Sequence, residues 1–287
     1  MAAIRARCIW GAPLVAGMES ASRAAHPALR HVVSGYSGYR FRGGTIAAAR
    51  RLIPDRSITL VISLANPLRV LDGSAPSAVC ARAPVHGLRM APLLIANDLQ
   101  QYAFELRLHP MALPALFGLP AAEITGAVVD LADLPVPLAG SLPERLAAQP
   151  DWDAQFDVLD TCLLTALREH QVVPELAWSW RRIVHTRGKV GIEQLATEIG
   201  WSRRYLTRRF RNEVGLGPKQ LSRLVRFEHC AGMLRATPGG PISDIAAAGG
   251  YSDHAHMSNE WRALAGCAPT EYLGMLTGSC GGPAEIA

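Results

Sequence analysis

The stretch Ile192-Glu-Gln-Leu-Ala-Thr-Glu-Ile-Gly-Trp-Ser202 recurs fifty residues later as Ile242-Ser-Asp-Ile-Ala-Ala-Ala-Gly-Gly-Tyr-Ser252. The apolar, small, glycine, aromatic and serine positions of the two copies coincide at an offset of 50. Beyond the serines the match continues at an offset of 51, where Phe210 pairs with Trp261. Self-similarity at a fixed spacing indicates that one supersecondary unit is used twice.

Each copy predicts a short helix, a tight turn and a second helix. The short helices, Glu193–Ile199 and Ser243–Ala248, both run into a glycine, which readily adopts the left-handed backbone of a tight turn. A serine follows and can cap the next helix by accepting a hydrogen bond from a free N–H; in the second copy Asp253 is an alternative to Ser252. The alanine at the fifth position of each copy is small where two helix axes should cross closely. This pattern is typical of a helix-turn-helix.

In DNA-binding proteins of this type the second helix enters the major groove and presents its N-terminal side chains to base edges. With Leu206 and Phe210 facing inward, helical spacing predicts an outward face made of Arg203, Arg204, Thr207, Arg208 and Arg211. With Met257 and Trp261 inward, the outward face of the second unit consists of His254, Ala255, Ser258, Asn259 and Arg262. Ser202 and Ser252 precede these helices and complete the predicted DNA-binding set. The second helix is much less basic than the first.

The arginines that bunch between residues 203 and 211 suit two tasks in DNA binding. A cluster of positive charge attracts phosphates. The planar guanidinium can also donate two hydrogen bonds to guanine, worth about 1–3 kcal/mol of discrimination. A solvated helix face without a ligand remains the alternative interpretation of such a run.

A long helix is predicted between the two units. Apolar residues at helical spacing run from Pro218 to Ala236, and Thr237-Pro-Gly-Gly-Pro241 ends the pattern. Nineteen residues at 1.5 Å each span roughly 28 Å. A rigid spacer near that length could hold two recognition helices about one DNA turn, or ~34 Å, apart.

Composition and charge predict a folded chain of two domains. The chain has 287 residues, of which 49% are hydrophobic and 18% are charged, as in globular proteins. The formal charge of +5 hides a strongly acidic stretch over residues 141–180, which has 2 arginines and 7 acidic residues. That stretch separates two basic ends, and each end carries a net charge of +5.

The first half of the chain predicts β structure followed by short helices. Candidate strands are 57–64, 92–96 and 102–108, and a short helix is expected over 110–118. Asp153–Gln171 then places apolar residues three to four apart, which predicts an amphipathic helix with Phe156, Leu159, Leu163, Leu164 and Leu167 inward. This helix either closes the first domain or mediates dimerisation. The tail Gly278–Ala287 is expected to be disordered.

Several classes of protein are not supported by the residues. The six cysteines lack the spacing of a zinc site or a disulfide framework and fit reduced thiols in a cytoplasm. No apolar run reaches the ~18–20 residues of a membrane span, and glycine and proline interrupt the leader-like segment Cys8–Met18. The histidines of residues 1–150 are isolated, and no nucleophile elbow or phosphate loop occurs. We therefore expect a cytoplasmic protein that is not an enzyme, with no catalytic residues, metal site, cofactor or membrane partner.

Residues 175–275 resemble the DNA-binding module of the AraC/XylS family of transcription regulators. The resemblance is carried in the first unit by Leu195-Ala196, Gly200, Ser202, Leu206, Arg208, Phe210, Gly215 and Pro218. In the second unit it is carried by Ile242, Ile245-Ala246, Gly250-Tyr251-Ser252-Asp253, His256-Met257, Trp261, Gly266, Pro269 and Tyr272. The resemblance implies two helix-turn-helix units joined by a long helix, with both recognition helices facing adjacent major grooves of double-stranded DNA.

By position, the resemblance implies base reading by Arg204, Thr207 and Arg208 of the first helix. In the second helix the matching positions are His254, Ala255, Ser258 and Asn259. Two of these depart from the family pattern, because Ala255 cannot donate a hydrogen bond and Asn259 stands where many members have arginine. The second helix is therefore expected to contribute mainly phosphate contacts.

The resemblance also implies a fold and partners for the rest of the chain. We expect an α+β protein with four segments: a β-rich sensing domain over 1–140, for which a cupin-like fold is a candidate; a helical linker over 141–173; the double helix-turn-helix domain over 174–276; and a tail over 277–287. Such β-rich domains commonly bind a small effector or dimerise, so a homodimer is expected, and RNA polymerase is a further candidate partner. The alternatives are a cupin-like enzyme, or a docking module for dimerisation or a partner, fused to the DNA-binding domain.

Overall fold

The computed structural model describes residues 8–9, 12–13, 18–42, 49–71, 78–96, 100–136, 141–237 and 240–277. The strands within these ranges are β1 (Cys8–Ile9), β2 (Ala12–Pro13), β3 (Glu19–Arg23), β4 (Val33–Arg42), β5 (Ala49–Leu52), β6 (Ile58–Ser63), β7 (Leu68–Leu71), β8 (Val79–Ala81), β9 (Pro84–His86), β10 (Leu93–Ala96), β11 (Gln100–Leu108) and β12 (Val128–Asp130). The helices are α1 (Leu113–Phe117), α2 (Leu142–Ala147), α3 (Trp152–Ala166), α4 (Pro174–His185), α5 (Ile192–Glu198), α6 (Arg203–Val214), α7 (Pro218–Ala236), α8 (Ile242–Gly249), α9 (His254–Ala265) and α10 (Pro269–Thr277). Single 3-10 turns lie at Pro27–Leu29, Pro110–Ala112, Ala121–Ile124 and Leu131–Asp133.

The predicted α+β architecture is confirmed, with a β-rich first half and a helical second half. The three candidate strands correspond to β6, β10 and β11, and α7 has the predicted bounds. The expected disordered tail, Gly278–Ala287, lies outside the described residues, as do residues 10–11 and 14–17 of the leader-like segment.

Two antiparallel sheets build the first half. The larger has the strand order β12-β9-β6-β11-β4-β3, and the smaller has the order β5-β10-β7-β8. Because successive strand residues point to opposite faces, β6 supplies Leu60 and Ile62 to one side and Val61 to the other. Val61 joins Tyr39 of the larger sheet and Ile95 of the smaller in a buried cluster. The two sheets are thereby packed face to face.

Helices cover the other face of the larger sheet, where aromatic side chains dominate. Phe104 of β11 meets Phe156 of α3 edge to face, with ring centroids 5.6 Å apart, and Tyr36 of β4 stacks on Phe156 at 6.0 Å. Aromatic pairs in such geometries add about 0.5–1.5 kcal/mol beyond their burial. Arg23 of β3 also binds Asp157 and Asp160 of α3, each at 2.7 Å. The sequence left the role of α3 open, and here it closes the first half.

The predicted extent of α3 is wrong at its C-terminal end. The helix stops at Ala166 rather than at Gln171, because Leu167 takes an extended backbone (φ −62°, ψ 120°). The next amide, Arg168 N–H, then donates to the carbonyl of Ala115 at 2.8 Å, which a continued helix would not permit. Leu164, expected to face inward, is 36% exposed. Tertiary contact with α1 overrides the apolar periodicity at this point.

The helical half is organised around α7, which packs against α4, α6, α8, α9 and α10. Its inward residues Leu224, Phe227 and Cys230 are almost fully buried. They belong to the same contiguous apolar cluster as Leu60 and Phe104 of the larger sheet. The core therefore continues from the sheet into the helices without a break. None of the helices in the described part of the chain is long and apolar enough to cross a bilayer.

An ion pair and a glycine join the two halves. The backbone N–H and Nη1 of Arg56 both donate to the carboxylate of Glu228 on α7, the latter at 2.8 Å. Burial raises the pKa of Glu228 to about 7, although Arg56 opposes the shift. Gly215, just after α6, has φ +92°, and a Cβ built there would lie 2.1 Å from Oγ1 of Thr125. Glycine is therefore required at 215, because it tolerates the positive φ and because it leaves room for the side chain of Thr125.

We predict that Gly215→Ala lowers the free energy of unfolding by at least about 1 kcal/mol, because a left-handed alanine is strained and its Cβ would displace Thr125. The matched control is Gly232→Ala in α7, where an added Cβ meets nothing within 4 Å. Alanine in that open helical position should stabilise the protein by about 0.5–1 kcal/mol. Urea unfolding of both variants measures the difference, and equal midpoints would contradict the account of Gly215.

Candidate nucleic-acid interface

The first repeat folds as a helix-turn-helix formed by α5 and α6. Gly200 makes the turn with φ +70°, after which Trp201 N–H donates to the carbonyl of Ala196 at 2.9 Å. The hydroxyl of Ser202 accepts from the N–H of Tyr205 at 3.2 Å and caps α6, as predicted. Because the inward residues of α6 are fully buried, the register of the helix is fixed and its outward residues are defined.

The outward face of α6 is a set of cations. Arg203, Arg204, Arg208 and Arg211 are exposed, and none of them forms an ion pair with a carboxylate in the described ranges. By contrast, Arg209, on another side of the helix, pairs with Glu213 at 3.5 Å. Thr207 is half-buried and its hydroxyl donates to the carbonyl of Arg203. A positive surface whose cations lack carboxylate partners attracts anions.

The arginine face borders an open hollow of about 740 Å³. Its lining consists of Ala122, Arg203, Arg204, Thr207, Arg208, Arg211 and Asn212. Ala122 belongs to the 3-10 turn Ala121–Ile124 of the first half, against which α6 packs. The structure thus brings the predicted α6 residues together, and it places part of the β-rich half beside them. Sequence periodicity within α6 carries no signal for this neighbour.

Tyr205 is a member of this surface that sequence reasoning missed. Its side chain is 39% exposed, and its ring meets Trp201 edge to face at 4.8 Å. The guanidinium of Arg208 lies 5.4 Å from the centre of the same ring. A cation over an aromatic face is stabilised by about 0.5–1 kcal/mol at exposed sites, so Tyr205 restrains Arg208. The available signal was the spacing of three residues between them, which places both on one helix face.

The second repeat, formed by α8 and α9, reproduces the geometry of the first. Gly250 makes the turn with φ +78°, and Tyr251 N–H donates to the carbonyl of Ala246 at 3.0 Å. Of the two candidate caps, Asp253 is the one that accepts from the N–H of His256, at 2.7 Å. Ser252 instead donates its hydroxyl to Asp253. The same turn therefore uses a charged cap in the second unit and a neutral one in the first.

The outward face of α9 is small and polar. His254, Ala255, Asn259 and Arg262 are exposed, and Ser258 is half-buried. Nη1 of Arg262 donates to Oδ1 of Asn259 at 3.4 Å, so these two side chains restrain each other. The predicted DNA-binding residues of the second unit thus lie together on α9, and this face carries much less positive charge than the outward face of α6.

Glu260 is a buried carboxylate on α9 that the sequence analysis did not single out. It pairs with Nε of Arg223 at 3.1 Å and with Nη2 of Arg226 at 3.6 Å, both on α7. The guanidinium of Arg226 lies 5.5 Å from the ring centre of Tyr251 in the turn. These contacts fix the second unit on the long helix. A glutamate among exposed polar residues resembles a surface position until the packing is known.

The helical module that contains both helix-turn-helix units matches a known family model. A family model described as a helix-turn-helix domain, of the AraC type, matches residues 195–275, which contain both turns and α7. The chain carries a DNA-binding domain of the AraC type. The protein is a DNA-binding transcription regulator, as the predicted double helix-turn-helix indicates. None of the curated protein sequences compared with the chain matches it.

Solved structures with a similar fold span nearly the whole of this regulator. The apo form of a ToxT variant from Vibrio cholerae strain SCE256 has a TM-score of 0.50 and 12% identity, covering 88% of this chain and 100% of that chain. ToxT from Vibrio cholerae in a P21 crystal form has a TM-score of 0.51 and 9% identity, covering 91% and 98%. At these identities the likeness concerns the fold alone, namely a β-rich half followed by the helical module.

The two caps of this regulator predict different responses to pH. The N–H of His256 and the hydroxyl of Ser252 hold the pKa of Asp253 below its ordinary value of 3.8. A carboxyl group whose pKa is lower in the folded chain than in the unfolded chain stabilises the fold at pH values above the unfolded-state pKa. This stabilisation is lost as the pH falls through the folded-state pKa. Asp253→Ser should therefore be less stable than the wild type at pH 6, with a smaller difference at pH 3.

Urea unfolding at the two pH values measures that difference for Asp253→Ser. The matched control is Ser202→Ala, which removes the neutral cap of α6 at a cost of about 1 kcal/mol. Its difference from the wild type should be the same at pH 6 and pH 3, because no ionisable group is changed. If the effect of Asp253→Ser does not depend on pH, the carboxylate is not the cap in solution.

Proposed function

We propose that this regulator binds DNA through α6 and α9 in two adjacent major grooves and that a small effector acting on the first half controls binding. The observation that carries the proposal is the row of exposed guanidinium groups on α6 that lack carboxylate partners in the described ranges. Protein arginines in that state are available to phosphates and to base edges. The proposal assigns α6 the larger share of affinity.

Within α6 we assign base contacts to Arg204, Thr207 and Arg208. Tyr205 supports Arg208 at the ring distance given above, and a restrained guanidinium loses less side-chain entropy when it binds. Arg203, Arg211 and the hydroxyl of Ser202 are assigned to the phosphate backbone, because helix N-termini and exposed cations commonly bind phosphate.

Within α9 we assign a weaker reading surface. Asn259 can form two hydrogen bonds with adenine, and the methyl group of Ala255 can contact thymine. Restraint of Asn259 by Arg262 supports an assignment to bases rather than to solvent. His254, Ser252 and Ser258 are polar groups suited to phosphate or base edges, and Arg262 supplies the one arginine of this face.

The two-groove arrangement is supported by the length and packing of α7. Nineteen residues form this helix without interruption, or roughly 28 Å at 1.5 Å each. Both helix-turn-helix units pack against it, and Glu260 anchors the second through two arginines. Two recognition helices that pack on a helix of this length can lie about one DNA turn, or ~34 Å, apart.

Control by an effector and assembly as a homodimer are proposed for the first half. Its two sheets enclose their own apolar cluster, and its surface forms cavities where it meets the helical half. Leu164, exposed on the outer face of α3, is an apolar residue that a second copy would cover. A thermal-shift screen of the full chain with small metabolites tests the effector, because a ligand that binds the folded state raises Tm. A broad library that leaves Tm unchanged would count against sensing.

We predict that Arg208→Ala relaxes the preference for one base pair by about 1–3 kcal/mol, because a bidentate contact to a base edge is lost. The matched control is Arg209→Ala, which removes the same charge from a residue paired with Glu213. The control should retain the base preference of the wild type. Competition binding with operators that carry single base-pair changes measures both variants.

The salt dependence of the same complexes separates base contacts from phosphate contacts. Removing one phosphate contact lowers the slope of log K against log salt by about 1 and weakens binding equally on every sequence. If Arg208→Ala behaves in that way, Arg208 binds phosphate. A flat slope for the wild type would contradict the assignment of α6 as a source of electrostatic affinity.

We predict that the footprint on DNA contains two protected major-groove segments about one turn apart, one for each recognition helix. His254→Ala with Asn259→Ala should weaken protection and base preference in one segment only. Arg204→Ala with Arg208→Ala should affect the other segment. Hydroxyl-radical and methylation protection on one operator measure both double variants. Loss of both protected segments in either variant would contradict the assignment of one segment to each recognition helix.

We predict that the chain sediments as a dimer and that Leu164→Lys shifts it toward monomer, because a charge would be placed in the proposed contact. Thr165→Lys is the matched control, since Thr165 is the exposed neighbour of Leu164 on α3. Analytical ultracentrifugation over a range of concentrations measures the equilibrium. A wild-type chain that remains monomeric with and without DNA would contradict dimerisation.

A further inference from the structure

The segment between α4 and the first helix-turn-helix unit, residues 186–191, is docked on the long helix α7. A Cβ built on Gly188 would lie 2.1 Å from the carbonyl oxygen of Ser222 on α7. The carbonyl of Gly188 accepts from Nη1 of Arg226, also on α7, at 3.5 Å. Its N–H donates to the carbonyl of Ile183 near the end of α4, at 2.8 Å. The backbone of the segment is therefore fixed between two helices.

Lys189, the next residue, reaches across to the second helix-turn-helix unit. A Cβ built on Gly250 would lie 2.9 Å from Cε of Lys189 and 3.5 Å from both its Cγ and its Cδ. The aliphatic part of the side chain thus lies along the turn between α8 and α9, although the residue as a whole is exposed. Lysine commonly packs its methylene groups in this way and keeps its ammonium group in water. A residue that leads into the first unit therefore places a positive charge at the turn of the second unit.

The turn beneath Lys189 leads directly into the end of α9 that faces DNA in this class of protein. Gly250 is followed by Tyr251, by the cap Asp253 and then by α9, which begins at His254. The N-terminal end of a recognition helix is the part that enters the major groove. The ammonium group of Lys189 is therefore located between the segment that leads into α5 and the groove-facing start of α9.

Lys189 differs from the neighbouring arginines of α7, which are held by an acidic residue. Arg223 and Arg226 both pair with the buried carboxylate of Glu260, at 3.1 and 3.6 Å. Lys189 forms no ion pair with a carboxylate among the residues that the structure describes. Its charge is therefore available to an anion outside the chain.

The surroundings of Lys189 carry further positive charge. Nη1 of Arg187 lies 3.3 Å from Nε2 of His229 on α7. Burial lowers the pKa of His229, and the charges of Arg187 and Lys189 act in the same direction. The imidazole is therefore neutral near neutral pH, and the positive charge of this segment is carried by Arg187 and Lys189.

We propose that Lys189 binds a phosphate of the DNA strand that crosses between the two major grooves, a contact that rests on the proposed two-groove reading by α6 and α9. That strand passes the part of the protein that lies between the recognition helices. Segment 186–191 fits this place, because it leads into the first unit, packs on the helix that joins both units and touches the turn of the second. An ammonium group is a compact charge with three donors and needs no planar partner. Contacts to phosphate position the protein and carry no sequence information directly.

Two variants of the full chain separate the charge of Lys189 from its packing. Lys189→Met keeps an unbranched side chain over Gly250 and removes the charge, whereas Lys189→Arg keeps both. Lys189→Met should lower the slope of log K against log salt by about 0.9, which is the value for one phosphate. Its deficit in affinity relative to the wild type should therefore shrink by about 3.5-fold between 50 and 200 mM salt. Lys189→Arg should keep the wild-type slope, as should the control Arg145→Gln, an exposed arginine of α2 in the first half.

Binding to operators with single base-pair changes distinguishes a phosphate contact from a positioning role. Lys189→Met should weaken binding equally on every sequence. If it instead changes the base preference within one groove segment, or leaves the salt slope unchanged, the proposal is overturned. Urea unfolding of each variant monitors whether the fold is retained, and Lys189→Arg provides the test if Lys189→Met unfolds, because a lowered slope in a variant that keeps the charge would also count against the contact.

Ethylation interference locates the phosphate on the operator. In the wild type and in Lys189→Arg, ethylation of a phosphate between the two protected major-groove segments should impair binding, and this effect should disappear in Lys189→Met. Two protected segments with the same interference pattern in Lys189→Met would overturn the lysine contact alone. A wild-type footprint with a single protected segment would overturn the two-groove reading and this contact together.

Amine acetylation tests the contact in the unaltered protein, because Lys189 is one of two lysines in the chain, the other being Lys219. Operator DNA should reduce the acetylation of Lys189 several-fold at low salt, as measured by mass spectrometry of the peptides. Equal acetylation of Lys189 in the free protein and in the saturated complex would overturn the proposal.

Discussion

Both recognition helices end in a left-handed glycine that touches the β-rich half, and the arrangement of the molecule depends on these two contacts. Gly215 follows α6 and lies against Ala121 and Thr125, whereas a Cβ on Gly266, after α9, would lie 3.1 Å from Pro92. Arg51 of β5 donates to the carbonyl of Gly266 at 3.1 Å. A Cβ at 215 would overlap Oγ1 of Thr125, and a Cβ at 266 would press against the side chain of Pro92. The first half therefore contacts both DNA-binding units at their C-terminal ends, and its Ala122 also borders the arginine face of α6.

The two repeats share a scaffold and differ in surface. The turn hydrogen bonds from Trp201 to Ala196 and from Tyr251 to Ala246 are equivalent within 0.1 Å, at 2.9 and 3.0 Å. The equivalent helices, however, carry an arginine face in one unit and a small polar face in the other. In the second unit, negative charge is buried as Glu260 to anchor α9 on α7. The duplication preserves what the turn requires, and the solvent-facing positions are free to diverge.

The long helix α7 also connects the DNA-binding units to the first half. Glu228 on its surface accepts two hydrogen bonds from Arg56, and α4 packs beside it. One apolar core runs through both halves. A shift of the sheet relative to α4 would therefore also displace α7 and the C-terminal ends of α6 and α9. An effector would need only to change the fit at this junction in order to alter how the two units are held. The cavity between Met111 and Trp180 opens at that junction.

The sequence by itself determined the double helix-turn-helix, the bounds of α7, the inward residues of α6 and α9, and the identity of the outward ones. These follow from local rules of helical period, capping and left-handed glycine, which need no knowledge of distant residues. The sequence also placed three strands of the first half correctly. Only the tertiary structure decided that α3 stops at Ala166 and that Asp253 rather than Ser252 caps α9. It alone revealed Glu260 as a buried anchor and Ala122 beside the arginine face. Each of these depends on side chains brought together from separate segments or on competition between two adequate partners, and neither leaves a periodic signal in the chain.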